Sequence, residues 1–196
     1  MNELQPDSEQ LKIWWVDAMQ QDTLAFGRIH KSLYAGLFNY ALKLLGDEAL
    51  ANDVIQDLFI KIWNKRHSIG ELQKVKAYFF TALRRQVLNQ LRDLKLRQLK
   101  ISTLASPDID FSQEEILIQR EQDNALKSRI LLLLNSLPSR QKEVIYLSFF
   151  EDMSNAQIAE VLDINYQSVM NLKQRALQKM RTLALLLLLT ILPFLF

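Results

Sequence analysis

Through residues 166–181 the cations Lys173, Arg175, Lys179 and Arg181 occur without an acid among them, and Tyr166, Gln167, Ser168, Asn171 and Gln174 accompany them. Amides and hydroxyls match donor and acceptor patterns on base edges, while cations hold phosphates. A second cationic run, 84–100, sets Arg84, Arg85, Arg92, Lys95, Arg97 and Lys100 against Asp93 alone, for a net charge of +5. Between the two lies 107–123, where six acids (Asp108, Asp110, Glu114, Glu115, Glu121 and Asp123) face Arg120, for −5. One charge run is ordinarily a solvated face. Two cationic helical stretches separated by an acidic connector suggest two contacts with one polyanion.

Other chemistries lack material. The chain has no cysteine, which removes disulfides, thiolate metal sites and cysteine nucleophiles. Its histidines are His30 and His67, too few for a His-rich metal centre, and no Gly-rich phosphate loop or catalytic triad can be traced. The expectation is a protein that is not an enzyme and uses no cofactor and no metal. Met1–Asp7 is polar and acidic, unlike a secretory signal, which points to the cytoplasm.

The elements that position these groups must be helices. In 196 residues there are 4 Gly and 4 Pro, so strands and tight turns have little to draw on, while 49% hydrophobic content suits a folded chain. The expected fold class is all-α: two small helical domains, an N-terminal bundle and a C-terminal helix-turn-helix, joined by an acidic linker. Helical spacing begins near Leu11, and a second helix carries Phe26, Ile29, Leu33, Leu37, Ala41 and Leu44 up to a left-handed cap at Gly46. A third, from about Asp47 to Lys65, places Val54, Ile55, Leu58, Phe59, Ile62 and Trp63 on one stripe and leaves Asp53, Gln56, Asp57, Lys61 and Asn64 off it. Residues 66–73 read as a loop, then a long helix runs from about Lys74 to Lys100. From Ile101 to about Gln122 periodicity weakens and Ser, Asp and Pro107 collect, as in a partly ordered linker. Helical spacing resumes at Leu126, with Pro138 just inside the start of the next helix.

Residues 154–181 then read as a helix-turn-helix. Ser154 and Gln157 have the spacing of a capping box, Asp163–Ile164–Asn165 is the turn, and Asn165 is a good N-cap. Val169, Leu172, Ala176, Leu177 and Met180 form the expected buried stripe of the second helix. Its remaining face presents Tyr166, Gln167, Ser168, Asn171, Lys173, Gln174 and Arg175 to a major groove.

These residues resemble a family, the extracytoplasmic-function sigma factors of bacterial RNA polymerase. Residues 137–181 are similar to its fourth domain through Leu137-Pro138, Arg140-Gln141, Gln157-Ile158-Ala159, Ser168-Val169 and Arg175-Ala176. Residues 51–63 resemble the polymerase-docking helix of its second domain, with Asp53, Gln56, Asp57 and Phe59 at the pattern positions. Residues 77–92 resemble its promoter-melting helix through Tyr78, Asn89 and Arg92, with Arg85 where Asn is usual; the helix-turn-helix carries Asp163 where Gly is common.

The resemblance implies a sigma factor that binds core RNA polymerase and directs promoter-specific transcription initiation. In that reading 10–97 is the second domain, 98–125 the linker, 126–183 the fourth domain and 184–196 a hydrophobic tail. Asp53, Gln56 and Asp57 would bind polymerase. Lys74, Lys76, Tyr78, Arg84, Arg85, Asn89 and Arg92 would recognise and melt the minus-ten element, a ring holding a displaced base and cations its phosphates. The helix-turn-helix face would bind the minus-thirty-five element. The partners implied are core RNA polymerase, promoter DNA and an anti-sigma factor. The alternative is a helix-turn-helix transcriptional regulator with a helical sensor or dimerisation domain.

The tail LALLLLLTILPFLF, 183–196, has no charge. As a helix its 14 residues extend about 21 Å, short of a bilayer core of about 30 Å. Burial against the fourth domain, docking of a partner, or at most a weak membrane contact are the readings it allows.

Overall fold

A computed structural model describes residues 7–97, 108–112 and 124–191, with the side chains of 95–97, 124–125 and 185–191 outside that description. Among the described residues there are eight helices and no strand: α1 (Ser8–Met19), α2 (Thr23–Leu45), α3 (Glu48–Ile69), α4 (Val75–Arg97), α5 (Asn124–Asn135), α6 (Ser139–Phe149), α7 (Asn155–Leu162) and α8 (Tyr166–Ile191). The all-α expectation holds.

Short acidic and amide side chains start the helices because their oxygens satisfy backbone N–H groups that lack an intrahelical partner. Asp7 accepts from Gln10 N (2.7 Å), Asp22 from Leu24 N and Ala25 N (2.8 and 3.1 Å), and Asp47 from Leu50 N (2.9 Å). At the end of α2, Gly46 adopts φ 68° and donates its N–H to Leu42 O at 2.7 Å, the left-handed cap expected there. α3 outlasts its expected end near Lys65. Arg66 lies over the Trp63 ring at 3.9 Å and donates to Trp63 O at 2.7 Å, so the helix continues to Ile69 and stops at Gly70, where φ is 73°.

The chain divides into two compact units: residues up to 104 together with Ala156–Asp163, and Ala105–Asn155 together with Ile164 onward. In the first, α1 to α4 all pack on one another. Its interior is aromatic. Trp15, Tyr40, Phe79 and Phe80 are fully buried, Trp15 meets Phe79 edge-on at 6.3 Å, and Trp15 Nε1 donates to Gly70 O at 2.9 Å. Five of the six expected α3 stripe residues are buried, with Trp63 half-buried against Phe26 at 5.0 Å. In the second unit α5 and α6 pack on α8 around Tyr146, Leu147, Val169 and Ala176. The grouping differs from a body of 126–183: it takes in Asp108–Ser112 and leaves α7, whose Glu160 is ion-paired with Lys74, with the first unit.

α8 runs as one helix through Ile191, but the side chains that would decide burial or docking of the tail lie outside the described residues. Among the described residues no helix is long and apolar enough to cross a membrane.

His30 bears on stability. Its ring packs on Phe59 (4.4 Å) and Tyr34 (5.2 Å) while its edge stays exposed, and this partial desolvation lowers its pKa below the ordinary 6.5. The unfolded chain therefore takes up a proton near pH 6.5 that the folded chain resists, and stability contributed by this group is lost as pH falls below that value. Thermal melts from pH 8 to 5 should show a modest decline that His30→Phe flattens. Equal slopes for the two proteins would assign the decline elsewhere.

Candidate polymerase-docking and promoter-binding surfaces

On α3, burial of Val54, Ile55, Leu58, Phe59 and Ile62 turns Asp53, Gln56 and Asp57 outward, where all three are exposed. Asp57 forms a solvent-exposed pair with Lys61 at 3.3 Å. Ile60, 59% exposed, completes the same stripe at i+7 from Asp53. It borders a shallow hollow of about 310 Å³ lined by Thr23, Phe26, Phe59 and Trp63. The residue pattern did not single out Ile60, although a large apolar side chain off the buried stripe was a readable signal. Acids beside an apolar anchor suit a partner surface that is cationic and partly apolar.

On α4, Tyr78, Arg85, Asn89 and Arg92 recur at seven, four and three residues and so share one face about 21 Å long. Arg85, Asn89 and Arg92 are exposed and Tyr78 is half-buried. Burial raises the Tyr78 phenol above its ordinary pKa while the nearby Arg85 guanidinium opposes the shift, so the ring stays neutral. Phe79 and Phe80 are fully buried, as expected of core residues. The other cations fall off this face. Arg84, 8% exposed, lies with the core because it sits on the Phe80–Leu83–Val87 side of the helix. Lys74 is paired with Glu160, and Lys76 is half-buried with its ammonium 5.7 Å from the centre of the Phe80 ring. The exposed face is thus narrower than the seven residues expected to act together.

The turn ahead of α8 has the local geometry its sequence suggests. Asp163 takes φ 54°, a left-handed conformation that Asp tolerates better than most residues, and Asn165 Oδ1 accepts from Ser168 N at 2.7 Å. Val169 and Ala176 are fully buried, and Leu172 and Met180 half-buried, beneath the first turns of α8. Leu177, expected in that stripe, is 45% exposed, because one residue past Ala176 is a 100° turn away from the core. Tyr166, Gln167, Asn171, Gln174 and Arg175 are exposed and Ser168 is half-buried. Gln167 Nε2 donates to Asn171 Oδ1 at 3.2 Å, which orients both amides. Lys173 departs from the exposed set: its ammonium donates to Ser148 Oγ and lies 5.0 Å from the centre of the Phe149 ring, both at the end of α6.

Known proteins are similar to this chain over most of its length. The family described as Sigma-70 region 2 matches residues 29–97, and Sigma-70, region 4 matches 127–180. The ECF RNA polymerase sigma factor SigL of Mycobacterium tuberculosis is 30% identical over 150 residues, covering 75% of this chain and 81% of SigL. Among solved structures, CnrH in complex with the cytosolic domain of CnrY superposes with a TM-score of 0.58 at 23% identity, covering 91% of this chain and 97% of CnrH. RpoE of Bartonella quintana, in complex with the anti-sigma factor NepR, gives 0.55 at 23%, covering 81% and 96%. With region 2 falling on α2 to α4 and region 4 on α5 to α8, the chain belongs to the ECF RNA polymerase sigma factors, which direct transcription initiation at promoters.

Proposed function

We propose that the work of initiation is divided between three surfaces of this chain. The α3 face of Asp53, Gln56, Asp57 and Ile60 docks core polymerase. The α4 face of Tyr78, Arg85, Asn89 and Arg92 takes the minus-ten strand. The exposed start of α8 reads minus-thirty-five duplex. The observation that carries this reading is the face of α8: amides, a phenol and Arg175 stand in solvent over buried Val169 and Ala176, with no acid from Tyr166 to Arg181. Such a face attracts phosphate and leaves hydrogen-bonding groups for base edges. Lys173 acts here by fixing α8 to α6, and Arg84 by completing the first unit. A sensor domain would need an enclosed ligand cavity, whereas the first unit's interior is filled by Trp15, Tyr40, Phe79 and Phe80.

The chain itself catalyses no reaction in this scheme, works in the cytoplasm where polymerase and promoter are found, and is held inactive by an anti-sigma protein, the kind of partner named for RpoE. Run-off transcription from a promoter library with purified core polymerase tests the assignment. Transcripts that depend on this chain and share two sequence elements are expected; none above the core-only background would refute it.

Arg175→Ala is the local test on duplex. Binding to minus-thirty-five DNA should weaken several-fold, and the slope of log K against log salt should become shallower by about 0.9, one phosphate's share of counterion release. An unchanged slope and affinity would remove Arg175 from the interface.

A further inference from the structure

Asp108–Ser112 lies inside the stretch that composition marks as linker, yet it is packed. Ile109 is fully buried and Phe111 is 4% exposed. Three kinds of recognition converge on it. Asn135, the last residue of α5, grips the Phe111 backbone with both halves of its amide: Oδ1 accepts from Phe111 N at 2.9 Å and Nδ2 donates to Phe111 O at 3.1 Å. Lys142 of α6, its side chain 4% exposed, reaches Asp108 Oδ2 at 3.2 Å and Asp110 Oδ1 at 3.4 Å. The Phe111 ring sits 5.4 Å from Phe150 and 6.4 Å from Tyr146. In extended chain, residues two apart share a side, which is how both acids meet one ammonium while Ile109 and Phe111 go inward.

We propose that this face of α5 and α6 is a docking site for an extended acidic and aromatic segment, and that Asp108–Phe111 is its resident ligand. A buried ammonium is costly unless carboxylates meet it. The α6 surface therefore suits an acidic occupant, since with Asp108 and Asp110 in place the Lys142 ammonium is both buried and paired, and Asn135 holds the backbone of the same segment. Docking ties the connector to the second unit at residue 108. The chain between α4 and that unit is then 98–107, ten residues, in place of the 26 residues 98–123 that precede α5. Resting on the sigma-factor reading, the consequence is that the clip limits the spacing allowed between the two promoter elements.

The test uses the full-length protein. Hydrogen exchange should find the Phe111 amide protected, and Asn135→Ala should accelerate its exchange more than about ten-fold, the protection otherwise given by a buried hydrogen bond. Asp108→Asn with Asp110→Asn, which takes both carboxylates from the Lys142 ammonium and leaves Ile109 and Phe111 unchanged, should accelerate it in the same direction. Fast exchange in the unaltered protein, or the same rate in all three, overturns the docking site. Run-off transcription on promoters whose spacer varies by one and two base pairs should show a sharp optimum that both variants broaden. An identical spacer profile despite lost protection overturns the spacing role. An unaltered protein silent on every spacer refutes the sigma-factor reading, while exchange at Phe111 still decides the clip.

Discussion

Asp57→Arg is expected to reduce affinity for core RNA polymerase by about two orders of magnitude while leaving the fold in place. The carboxylate is exposed on α3, and its ion pair with Lys61 at 3.3 Å is of the solvent-screened kind worth well under about 1 kcal/mol. Surface changes of this sort usually shift stability by no more than about 0.5 kcal/mol. At an interface the sign change acts differently. A like charge facing the partner costs several kcal/mol, and each 1.4 kcal/mol is ten-fold in affinity. Ile60 gives the companion result. At 59% exposure beside the Phe26–Phe59–Trp63 hollow it has the position of an apolar anchor, and Ile60→Asp should cost about ten-fold or more without Asp57 being touched. Competition binding of labelled chain to purified core, with circular dichroism to verify folding, measures both. Unaltered affinity in a folded Asp57→Arg chain would take α3 out of the docking surface.

Much of this surface was legible in residue order because α3 is regular. Once Val54, Ile55, Leu58, Phe59 and Ile62 are assigned to the core, geometry leaves Asp53, Gln56 and Asp57 on the outside. Two left-handed turns were equally plain, since Gly46 and Asp163 are residues that accept positive φ, whereas Gln21 and Asp152 also take positive φ and did not stand out in the sequence. What escaped was decided by a single 100° step or by tertiary contact. Arg84 and Arg85 look equivalent in a cationic run, yet Arg84 follows Phe80 by four residues and precedes Val87 by three, which puts it against the core. Leu177 fails in the opposite sense, one step past Ala176. The end of α3 depended on Arg66 stacking over Trp63, a contact invisible to periodicity, although Gly70 marked where a stop was possible. Asp108–Phe111 was hardest to read. Its alternation of acid and apolar residues is too short to define an element, and it acquires meaning only against Asn135 and Lys142.

Trp15→Ala should destabilise the first unit by about 3–5 kcal/mol, the range for deleting a large buried aromatic. Trp15 has no exposed surface, touches Phe79 edge-on at 6.3 Å and donates Nε1–H to Gly70 O at 2.9 Å. The substitution therefore opens a cavity among α1 and α4 and leaves the carbonyl at the end of α3 without that donor. Trp15→Phe separates the two losses: it keeps a ring beside Phe79 and removes the hydrogen bond, so about 1–3 kcal/mol is expected. Against a total stability of about 5–15 kcal/mol, the alanine variant loses much of the margin that keeps α3 and α4 presented together. Transcription should accordingly fall close to background at 37 °C. Binding of the isolated minus-thirty-five duplex should fall less than transcription does, because Val169 and Ala176, on which the exposed face of α8 stands, belong to the other unit's core, while α7 groups with the first unit. Urea melts followed at 222 nm, run beside duplex titrations of the same protein, measure the two effects together. Equal loss of both activities would mean that the reading face of α8 depends on the first unit's core, and the assignment of the two promoter elements to separately stable surfaces would fall.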